Sequence, residues 1–474
     1  MQEPRLSVAD LRFAGCLPDL PCQLELADGG LLRIERVLRF LPGKRLVADG
    51  RYREQRVLAK VFFAPAWRRH VKREASGVQA LSEAGLPTPR LLGSHELSGG
   101  AAVLLFEFVE GAVSLAECWR ALRASPDDEA AWNLLTPVLL LLARMHRAGI
   151  WQADLHLGNF LQAGDHLLLV DGDAIHVAAA PLKARLASRN LALLVAQLPI
   201  TWGRRLKRLV DLYCSQPGAL PMDMVALEKD VVGERTKRLR EYLAKTLRNC
   251  TDFLVDHTPR RFVAVLRPEA ARLKPLLERP DAVMAAGQVL KDGATCTVVR
   301  VHLGGLDLVV KRYNLKSWRH ALARSWRQSR AMHSWREAHR LRYFGLTTPR
   351  PLALVEERLG ALRGRAYLIT EYCAGPRLWE SLRPESPPTE AEASAIRSVF
   401  RTLFELRIAH GDLKAANLLW QEGRVSLIDL DATVQYQNAA SFRKAWARDR
   451  QRLLRNWPAG SLLCQWLDEN LPEA

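Results

Sequence analysis

This sequence of 474 residues has no long apolar run. Its longest, residues 138–143 with Leu134, Leu135 and Pro137 before it, is far shorter than the roughly 20 residues that a membrane-spanning helix needs. The first residues carry an acid and a proline but no apolar core, so no signal peptide is expected. The sequence therefore disfavours secretion and membrane spanning, and it predicts a cytoplasmic location.

Closely spaced cysteines are also missing. None of the eight cysteines belongs to a Cys-x-x-Cys pair. In a chain of this length without a signal peptide, scattered cysteines indicate reduced thiols in a cytosolic protein. A structural zinc site normally needs closer pairs of ligands, so we expect none.

Acidic residues are in deficit, because 51 Asp+Glu face 69 Lys+Arg and leave a net charge of +18. Such a surplus implies an acidic partner, which is nucleic acid, anionic lipid or a phosphorylated sugar. Charge alone does not choose among the three. The remaining composition, with 48% hydrophobic and 25% charged residues, is typical of a globular protein, and the length predicts two or three domains.

What the sequence does contain is an internal repeat. Residues 152–173 begin Gln-Ala-Asp-Leu-His-Leu-Gly-Asn and end Asp-Gly-Asp, while residues 410–431 begin His-Gly-Asp-Leu-Lys-Ala-Ala-Asn and end Asp-Leu-Asp. In both segments an Asn follows the first Asp after 5 residues and another Asp follows after 12 more, and the segments lie 258 residues apart. The repeated residues are Asp154, Asn159 and Asp171 in the first copy and Asp412, Asn417 and Asp429 in the second.

The features upstream of these segments recur in the same order. Each half has a strand pattern that ends in a lysine, then Arg-Glu-Ala in a helical stretch, then Gly-Leu-x-Thr-Pro-Arg, then a strand pattern that ends in glutamate. The lysines are Lys60 and Lys311, the helix glutamates are Glu74 and Glu337, and the strand-end glutamates are Glu107 and Glu371. We therefore predict two copies of one α+β domain, at residues 1–260 and 261–474.

These residue types are the ones that phosphoryl transfer from Mg-ATP requires. A strand lysine, held by a helix glutamate, contacts the nucleotide phosphates as a point charge. The first Asp accepts or orients the proton of the substrate hydroxyl, so Asp154 and Asp412 are the predicted catalytic residues. The Asn and the distal Asp supply hard oxygen ligands for Mg²⁺. The predicted metal ligands are Asn159, Asp171, Asn417 and Asp429, and the predicted nucleotide-binding residues include Lys60, Glu74, Glu107, Lys311, Glu337 and Glu371.

In these motifs the chain resembles the protein-kinase-like superfamily. The resemblance implies tandem protein-kinase-like folds of the α+β class, each with a small antiparallel β-rich N-lobe and a mainly helical C-lobe. Asp-Gly-Asp and Asp-Leu-Asp stand in place of Asp-Phe-Gly, and no Ala-Pro-Glu follows, which leaves little room for a segment that docks peptides. Neither half has a clear Gly-x-Gly-x-x-Gly, so Gly43 and Gly293 are the predicted residues of the loop that covers the phosphates.

Within that superfamily, the sequence most resembles the bacterial lipopolysaccharide kinase family, whose members phosphorylate heptose or Kdo sugars of the lipid A-core. The stretches that carry this resemblance surround Gly43 and Lys60 in the first half, and Gly293, Lys311 and Glu337 in the second. The resemblance implies ATP and Mg²⁺ as cofactors. It also implies lipopolysaccharide core or a lipid A precursor as partner, at the cytoplasmic face of the inner membrane.

Residues 311–350 form a strongly basic window, in which eleven Lys/Arg and three tryptophans accompany a single acid, Glu337. One interpretation is a basic amphipathic surface for anionic lipid head groups or phosphorylated core sugar. The other is a solvated helix whose tryptophans, Trp318, Trp326 and Trp335, pack onto the small lobe. The helix is predicted to be longer than its counterpart, because 26 rather than 14 residues separate the lysine from the glutamate. No recognised motif supports a nucleic acid partner.

The sequence thus predicts a tandem ATP-dependent phosphotransferase that acts on a sugar hydroxyl of lipopolysaccharide core, with peripheral association with the inner membrane. Two alternatives stay open. One is a nucleotide-binding regulatory or scaffold pseudokinase in envelope biogenesis. The other is a cytosolic small-molecule kinase of the aminoglycoside or choline type, which Asp-Leu-His-x-Gly-Asn in the first half resembles. The first half also has Gln152 where His410, at the position that usually braces the catalytic loop, stands in the second.

Overall fold

The computed structural model describes residues 3–13, 20–122, 129–314, 328–360 and 362–473. The chain divides into two compact units, Met1–Arg235 and Thr236–Ala474, which are called unit 1 and unit 2 below. Each unit contains an antiparallel sheet that is followed by a mainly helical part. The predicted α+β class, with a β-rich lobe and a helical lobe in each copy, is confirmed.

Unit 1 begins with a short helix and a six-stranded sheet. The elements are α1 (Val8–Phe13), β1 (Cys22–Glu25), β2 (Leu31–Leu41), β3 (Arg45–Tyr52), β4 (Gln55–Phe62), α2 (Trp67–Glu83), β5 (Leu91–Leu97) and β6 (Ala101–Glu107). The strands lie in the order β1-β2-β3-β4-β6-β5, and every neighbouring pair is antiparallel.

The strands of this sheet bury both faces, because alternate side chains point to opposite sides. Val57, Ala59 and Val61 of β4 pack into a core that also contains α1. The intervening residues Leu58 and Phe62 face α2. Since Lys60 lies between them in the alternation, its side chain points toward α2, the helix that carries Glu74.

The helical part of unit 1 packs around its longest apolar helix. The helices are α3 (Leu115–Leu122), α4 (Glu129–Arg147), α5 (Ala184–Val195), α6 (Leu206–Cys214) and α7 (Met224–Lys245), which crosses the border between the units. Leu135, Leu139 and Leu142 are fully buried because their spacing places them on one face of α4. Short strands connect these helices, namely β7 (Val113–Ser114), β8 (Ile150–Gln152), β9 (Phe160–Ala163), β10 (His166–Leu169) and β11 (Ile175–Val177).

Unit 2 has a seven-stranded antiparallel sheet. Its strands are β12 (Phe253–Thr258), β13 (Arg261–Leu266), β14 (Gln288–Asp292), β15 (Cys296–Leu303), β16 (Leu306–Tyr313), β17 (Pro351–Leu359) and β18 (Leu362–Glu371), in the order β12-β13-β17-β18-β16-β15-β14. Strands β14 to β18 repeat the arrangement of β2 to β6. The two sheets differ at opposite edges, because unit 1 adds β1 beside β2 and unit 2 adds the hairpin β12–β13 beside β17.

The helices of unit 2 follow the same plan. They are α8 (Ala270–Glu278), α9 (Pro280–Ala285), α10 (Arg330–Tyr343), α11 (Leu378–Ser381), α12 (Glu390–Glu405), α13 (Ala439–Leu454) and α14 (Leu462–Asn470). The short strands are β19 (Ile408–Ala409), β20 (Leu418–Gln421), β21 (Arg424–Leu427) and β22 (Val434–Gln435). Helix α12 begins at a capping box, in which Thr389 and Glu392 each accept a backbone N–H of the other.

The border that the sequence suggested near residue 260 falls in the turn between β12 and β13. These strands pair from Phe253 with Leu266 to Thr258 with Arg261, so a division there would open a hairpin of the sheet of unit 2. The division of the chain into compact units falls after Arg235, within α7. Pro259 and Arg260 form the turn of this hairpin.

The basic window of residues 311–350 is described only in part. Trp318 and Trp326 lie outside the described residues. Trp335 is a core residue, because it is fully buried against Phe253 and donates its indole N–H to Thr246. Helix α10 has 14 residues and α2 has 17, so the prediction of a longer helix is wrong for the part that the structure describes.

Membrane-spanning helices were not expected from the sequence. Within the described ranges, no helix combines the length and the apolarity that crossing a bilayer requires.

Candidate active sites

The lysine and the glutamate predicted for unit 1 lie together. Lys60 on β4 donates to the Glu74 carboxylate on α2, and Glu74 is fully buried. Glu74 also accepts the backbone N–H groups of Gly172 (3.2 Å) and Asp173 (2.9 Å). Burial alone would raise the pKa of Glu74, but the Lys60 charge and these hydrogen bonds lower it. Glu74 therefore joins the strand lysine to the turn that follows Asp171.

This contact depends on a close approach of α2 to that turn. A Cβ atom added to Gly77 would lie 2.1 Å from the Gly172 carbonyl oxygen, and one added to Gly172 would lie 2.3 Å from the Glu74 carbonyl oxygen. Any side chain at either glycine would push the helix away from the backbone that Glu74 binds. The two glycines therefore permit the Lys60–Glu74 arrangement.

The arrangement in unit 2 is different, and the predicted Lys311–Glu337 ion pair is wrong. Lys311 Nζ lies 2.5 Å from Asp429 Oδ1 and 2.9 Å from Asp431 Oδ2. Glu337 instead pairs with Arg340, one turn further along α10, at 2.9 Å. Burial raises the pKa of Glu337, and Arg340 offsets this in part.

Helix register explains the error. Eleven residues separate Glu74 from Gly85 at the end of the first helix, and eleven separate Ser334 from Gly345 at the end of the second. Ser334, rather than Glu337, therefore occupies the place of Glu74. The contacts agree, because His70 lies 3.2 Å from Asp173 and its counterpart Arg330 lies 2.5 Å from Asp431.

The residues at the position predicted to brace the catalytic loop make equivalent contacts in both units. Gln152 Nε2 donates to the carbonyls of Val170 and Asp171, both at 3.1 Å. His410 Nε2 donates to the carbonyl of Ile428, at 3.0 Å. Because Ile428 occupies in unit 2 the place of Val170, glutamine and histidine hold the same strand end.

The predicted catalytic aspartates lie just beyond these braces. Asp154 is open to solvent, with 75% of its side chain exposed, and lies 4.0 Å from His156. Asp412 is less open, with 36% exposed, because Lys414 lies 3.0 Å and Arg452 3.8 Å away. An acceptor hydroxyl could reach either carboxylate from solvent.

The predicted metal ligands are brought together by matching backbone contacts. The Asn159 carbonyl accepts the N–H of Val170, and the Asn417 carbonyl accepts the N–H of Ile428, at 2.8 and 2.9 Å. The next residue in each unit adopts a left-handed conformation, with φ of 72° at Asp171 and 61° at Asp429. Such backbone strain in a non-glycine residue costs on the order of 1 kcal/mol and concentrates at functional sites.

The Asp171 carboxylate has the environment of a cation ligand. Burial, reinforced by the nearby Glu74 carboxylate, raises the pKa of Asp171. Arg45, two residues after Gly43 and at the start of β3, lies 3.9 Å from the Asp171 carboxylate. In the described part of the chain no three His, Cys, Asp or Glu side chains form a metal cage. Mg²⁺ seldom uses such a cage, because it takes one or two carboxylates together with substrate phosphates and water.

The two glycines predicted for the phosphate loop both lie in hairpin turns. Gly43, between β2 and β3, has a φ of 68°, which favours glycine. Gly293, between β14 and β15, donates to the Cys296 carbonyl and accepts from Asn314, both at 3.1 Å. Only the first turn carries an arginine, Arg45, that reaches the distal aspartate.

The strand-end glutamates have arginine partners that the sequence did not reveal. Glu107 lies 3.6 Å from Arg90, and Glu371 lies 3.1 Å from Arg350. In both units the same arginine accepts the glutamate N–H on its carbonyl, at 3.0 Å. These arginines end the repeated Gly-Leu-x-Thr-Pro-Arg segment, so its recurrence was the available signal.

Three further residues of unit 2 were not predicted from the sequence. Asp431 receives hydrogen bonds from Tyr313 (2.6 Å), Ser334 (2.7 Å) and Lys311 (2.9 Å). The repeated Asp-x-Asp was visible in the sequence and pointed to Asp431. Tyr313 and Ser334 carried no signal, since unit 1 has Phe62 and Glu74 in their places.

Comparison with known proteins covers both units. The sequence model of the lipopolysaccharide kinase (Kdo/WaaP) family matches residues 45–204 and 284–470. The matched ranges hold the lysine, the Asp-x4-Asn segment and the distal Asp of each copy. The two separate matches fit the tandem repeat.

Similar curated proteins cover a smaller part of the chain. The 3-deoxy-D-manno-octulosonic acid kinases of Stenotrophomonas maltophilia strains K279a and R551-3 are 35% and 36% identical over 127 residues, which are 25% of this chain and 47% of each relative. The RIO-type serine/threonine-protein kinase Rio1 of Haloferax volcanii is 31% identical over 112 residues, or 22% of this chain and 34% of that protein. The chain spans about half the length of the first two relatives and about a third of the length of the third.

A solved structure titled "WaaP in complex with acyl carrier protein" is also similar. It is 21% identical, with a TM-score of 0.32, and the match covers 44% of this chain and 86% of that chain.

Proposed function

Because the chain belongs to the lipopolysaccharide kinase (Kdo/WaaP) family, we propose that it transfers the γ-phosphate of ATP to a sugar hydroxyl of lipopolysaccharide core. The acceptor sugar is heptose or Kdo, presented at the cytoplasmic face of the inner membrane. The observation that carries the proposal is the convergence of Lys60, Glu74 and the turn after Asp171 inside a range that matches the family.

The nucleotide would bind between these residues. Lys60, fixed by Glu74, would contact the α- and β-phosphates, and Asn159 with Asp171 would ligate Mg²⁺. Bound Mg-ATP supplies the phosphoryl group and the cation that neutralises its charge. The raised pKa of Asp171 supports this assignment, because a cation would stabilise a carboxylate that burial and Glu74 destabilise. Gly43 would let the hairpin turn cover the phosphates.

The acceptor hydroxyl would bind at Asp154 in unit 1. A carboxylate there accepts or orients the hydroxyl proton as the oxygen attacks phosphorus. Asp412 would play the same part in unit 2, where Lys414 and Arg452 add positive charge beside it. These cations suit an acceptor or donor that carries phosphate.

The choice of acceptor rests on the family and on charge. The curated relatives from Stenotrophomonas maltophilia are named for 3-deoxy-D-manno-octulosonic acid, a core sugar. The net charge of +18 suits an anionic glycolipid, and we extend the proposal to peripheral binding at the anionic surface of the inner membrane.

The phosphate content of core sugars tests this function. Strains would carry Asp154→Ala, Asp412→Ala or both, with Asp165→Ala, an exposed residue in the β9–β10 turn, as the matched control. Loss of a catalytic carboxylate should lower transfer at its site by about 10²–10⁴-fold. Unchanged core phosphate in the double variant would contradict the proposal. Loss in only one single variant would assign the transfer to that unit.

A second candidate function applies to unit 2 alone. Lys311 and Asp429 neutralise one another at 2.5 Å, so two residues predicted to bind nucleotide and metal are engaged with each other. Phosphoryl transfer would need that metal ligand to be free, so the contact supports the regulatory alternative, nucleotide binding without transfer, for this unit. Normal core phosphate in Asp412→Ala, combined with ATP binding by unit 2, would support it.

A further inference from the structure

Asp431 in unit 2, which was not among the predicted site residues, accepts four hydrogen bonds from side chains. Oδ1 accepts from the Tyr313 hydroxyl at 2.6 Å and from the Ser334 hydroxyl at 2.7 Å. Oδ2 accepts from Lys311 at 2.9 Å and from Arg330 at 2.5 Å. Both oxygens therefore have two donors, which fixes the carboxylate in one orientation.

The donors replace the residues that build the lysine site of unit 1. Counted from the strand lysines, Tyr313 occupies the place of Phe62, which has no hydroxyl. Counted from the helix ends, Ser334 occupies the place of Glu74. Unit 2 thus has no carboxylate at this place on the helix. It has two hydroxyl donors instead, and both donate to Asp431. Both hydroxyls donate to Oδ1 of the carboxylate whose Oδ2 accepts from Lys311.

The position of Asp431 gives it a further property. Lys311 touches Asp429 and Asp431 together, and Asp429 is the predicted metal ligand. If Asp429 ligated a cation, Lys311 would lose that partner and would still have Asp431.

We propose that Asp431 is the positioning residue of Lys311. Asp431 plays in unit 2 the part that Glu74 plays in unit 1, and unit 2 thereby keeps a site for nucleotide phosphates. This inference rests on the proposed use of ATP. It does not require unit 2 to transfer phosphate. It assigns no such part to Glu337, which Arg340 occupies.

An acyl-phosphate derivative of ATP tests the inference at each lysine separately. The probe acylates a lysine amine beside the bound phosphates, so that an amide forms and ATP leaves. Mass spectrometry of the full-length chain then quantifies the Lys60 and Lys311 peptides in one sample. The measured quantity is the concentration of ATP that halves labelling of each lysine. This concentration follows nucleotide affinity and is independent of the reactivity of the amine.

Three variants make the comparison. Asp431→Asn should raise the half-protecting ATP concentration at Lys311 at least about tenfold, because the lysine loses a buried partner, and should leave Lys60 unchanged. Glu337→Gln should leave both lysines within about twofold. Ser334→Glu combined with Asp431→Asn should restore protection at Lys311 to within about threefold, because Ser334 and Lys311 contact the same side chain and the longer glutamate extends a carboxylate from the helix toward the lysine.

Rescue by the double variant separates positioning from a merely structural effect, which a second substitution would not repair. Unchanged protection at Lys311 in Asp431→Asn, or equal loss in Glu337→Gln, would overturn the inference and leave the proposed function intact. Absence of ATP-protected labelling at both lysines of the unsubstituted chain would overturn the proposed function and the inference with it.

Tyr313→Phe provides a variant that should fold, because it introduces the residue found in unit 1. It removes one of the four hydrogen bonds to Asp431, so the half-protecting concentration at Lys311 should rise about threefold. If thermal unfolding shows that Asp431→Asn does not fold, Tyr313→Phe becomes the deciding variant. An unchanged half-protecting ATP concentration at Lys311 in that variant would then contradict the inference.

Discussion

The two units share the backbone geometry of the Asp-x4-Asn loop and differ on the side of the helix. Asn159 and Asn417 hold the strand before the distal aspartate in the same way, and Asp171 and Asp429 share a left-handed backbone. By contrast, Lys60 pairs with a helix glutamate and Lys311 with two aspartates. The residues of the loop are therefore held by local backbone contacts that recur in both units. The counter-ion of the lysine lies on a helix in unit 1 and in a turn in unit 2.

Helix packing accounts for the difference. Unit 1 has Gly77 and Gly172 where the helix meets the turn, and the places of these glycines are taken in unit 2 by Glu337 and Leu430. Two side chains cannot occupy the space that the paired glycines leave open. The helix residue in unit 2 therefore contacts the Asp431 side chain instead of the backbone N–H groups of the turn.

A second difference concerns the strand pair next to the strand-end glutamates. Asp49 on β3 pairs with Arg56 on β4 at 2.8 Å, while Arg300 on β15 pairs with Asp307 on β16 at 2.5 Å. The charges are exchanged between strands. In both units the guanidinium nevertheless lies over an aromatic ring, 3.9 Å from Phe108 or 3.8 Å from Tyr372. The ion pair between the two strands is therefore present in both units, although the acid and the arginine lie on opposite strands.

The largest effect is expected from closing the gap between helix and turn in unit 1. Gly77→Ala places a Cβ atom 2.1 Å from a carbonyl oxygen, so it should lower the unfolding free energy of unit 1 by about 3 kcal/mol. Gly233→Ala is the matched control, because nothing lies within 4 Å of its Cβ and its helix should gain about 0.5–1 kcal/mol. Urea unfolding, resolved by hydrogen exchange of each unit, measures both. Equal stability of the two variants would contradict the packing argument.

Acid should destabilise unit 1 through His146, which is buried between Asn190 and Tyr213. Burial lowers the pKa of His146 from 6.5 to about 4. Between these pH values the unfolded chain binds a proton at His146 and the folded unit does not. The unfolding free energy therefore falls as the pH drops from 6.5 to about 4. The loss from this group reaches about 3 kcal/mol.

His146→Gln, which stays neutral, should flatten the pH dependence of unit 1 in hydrogen exchange. Unit 2 has Phe404 at the corresponding place and its own buried His339 on α10, whose pKa burial lowers to about 3. Its acid sensitivity should therefore persist in the His146 variant. A change in the slope of both units would show that the histidines do not act separately.

Exchanging the charges of the strand pair should have a smaller effect. Asp49→Arg alone leaves Arg36 and Arg56 without their shared acid and should cost about 2 kcal/mol in unit 1. Adding Arg56→Asp, which reproduces the order found in unit 2, should recover at least about half of that loss. A double-mutant cycle in urea measures the coupling energy. A cycle with no coupling would show that the pair contributes nothing to stability.

The smallest effect is expected at the brace of the catalytic loop. Gln152→His introduces the residue of unit 2 and keeps a donor for the Val170 carbonyl, so stability should change by less than about 1 kcal/mol. Gln152→Leu is the comparison, since it leaves two partly buried carbonyls without that donor and should cost more. Equal losses in the two variants would contradict the equivalence of glutamine and histidine.

Sequence patterns predicted the strand positions of Lys60 and Lys311, because a lysine in an apolar alternation is a local signal. They misplaced the partner of Lys311, because Arg-Glu-Ala recurs three residues later in the second helix. A shift of three residues is a rotation of about 300°, so the two registers present nearly the same face and hydrophobic periodicity barely distinguishes them. Counting back from Gly345 would have selected Ser334.

The sequence by itself determined that the chain contains two copies of one α+β domain, because spacings of 5 and 12 residues between Asp, Asn and Asp are properties of one short segment. The roles of these residues stay predictions until the variants are measured. Only the tertiary structure decided which carboxylate faces each lysine. That choice depends on how closely a helix approaches a turn about 100 residues away in the chain, and on whether glycines or larger side chains meet there.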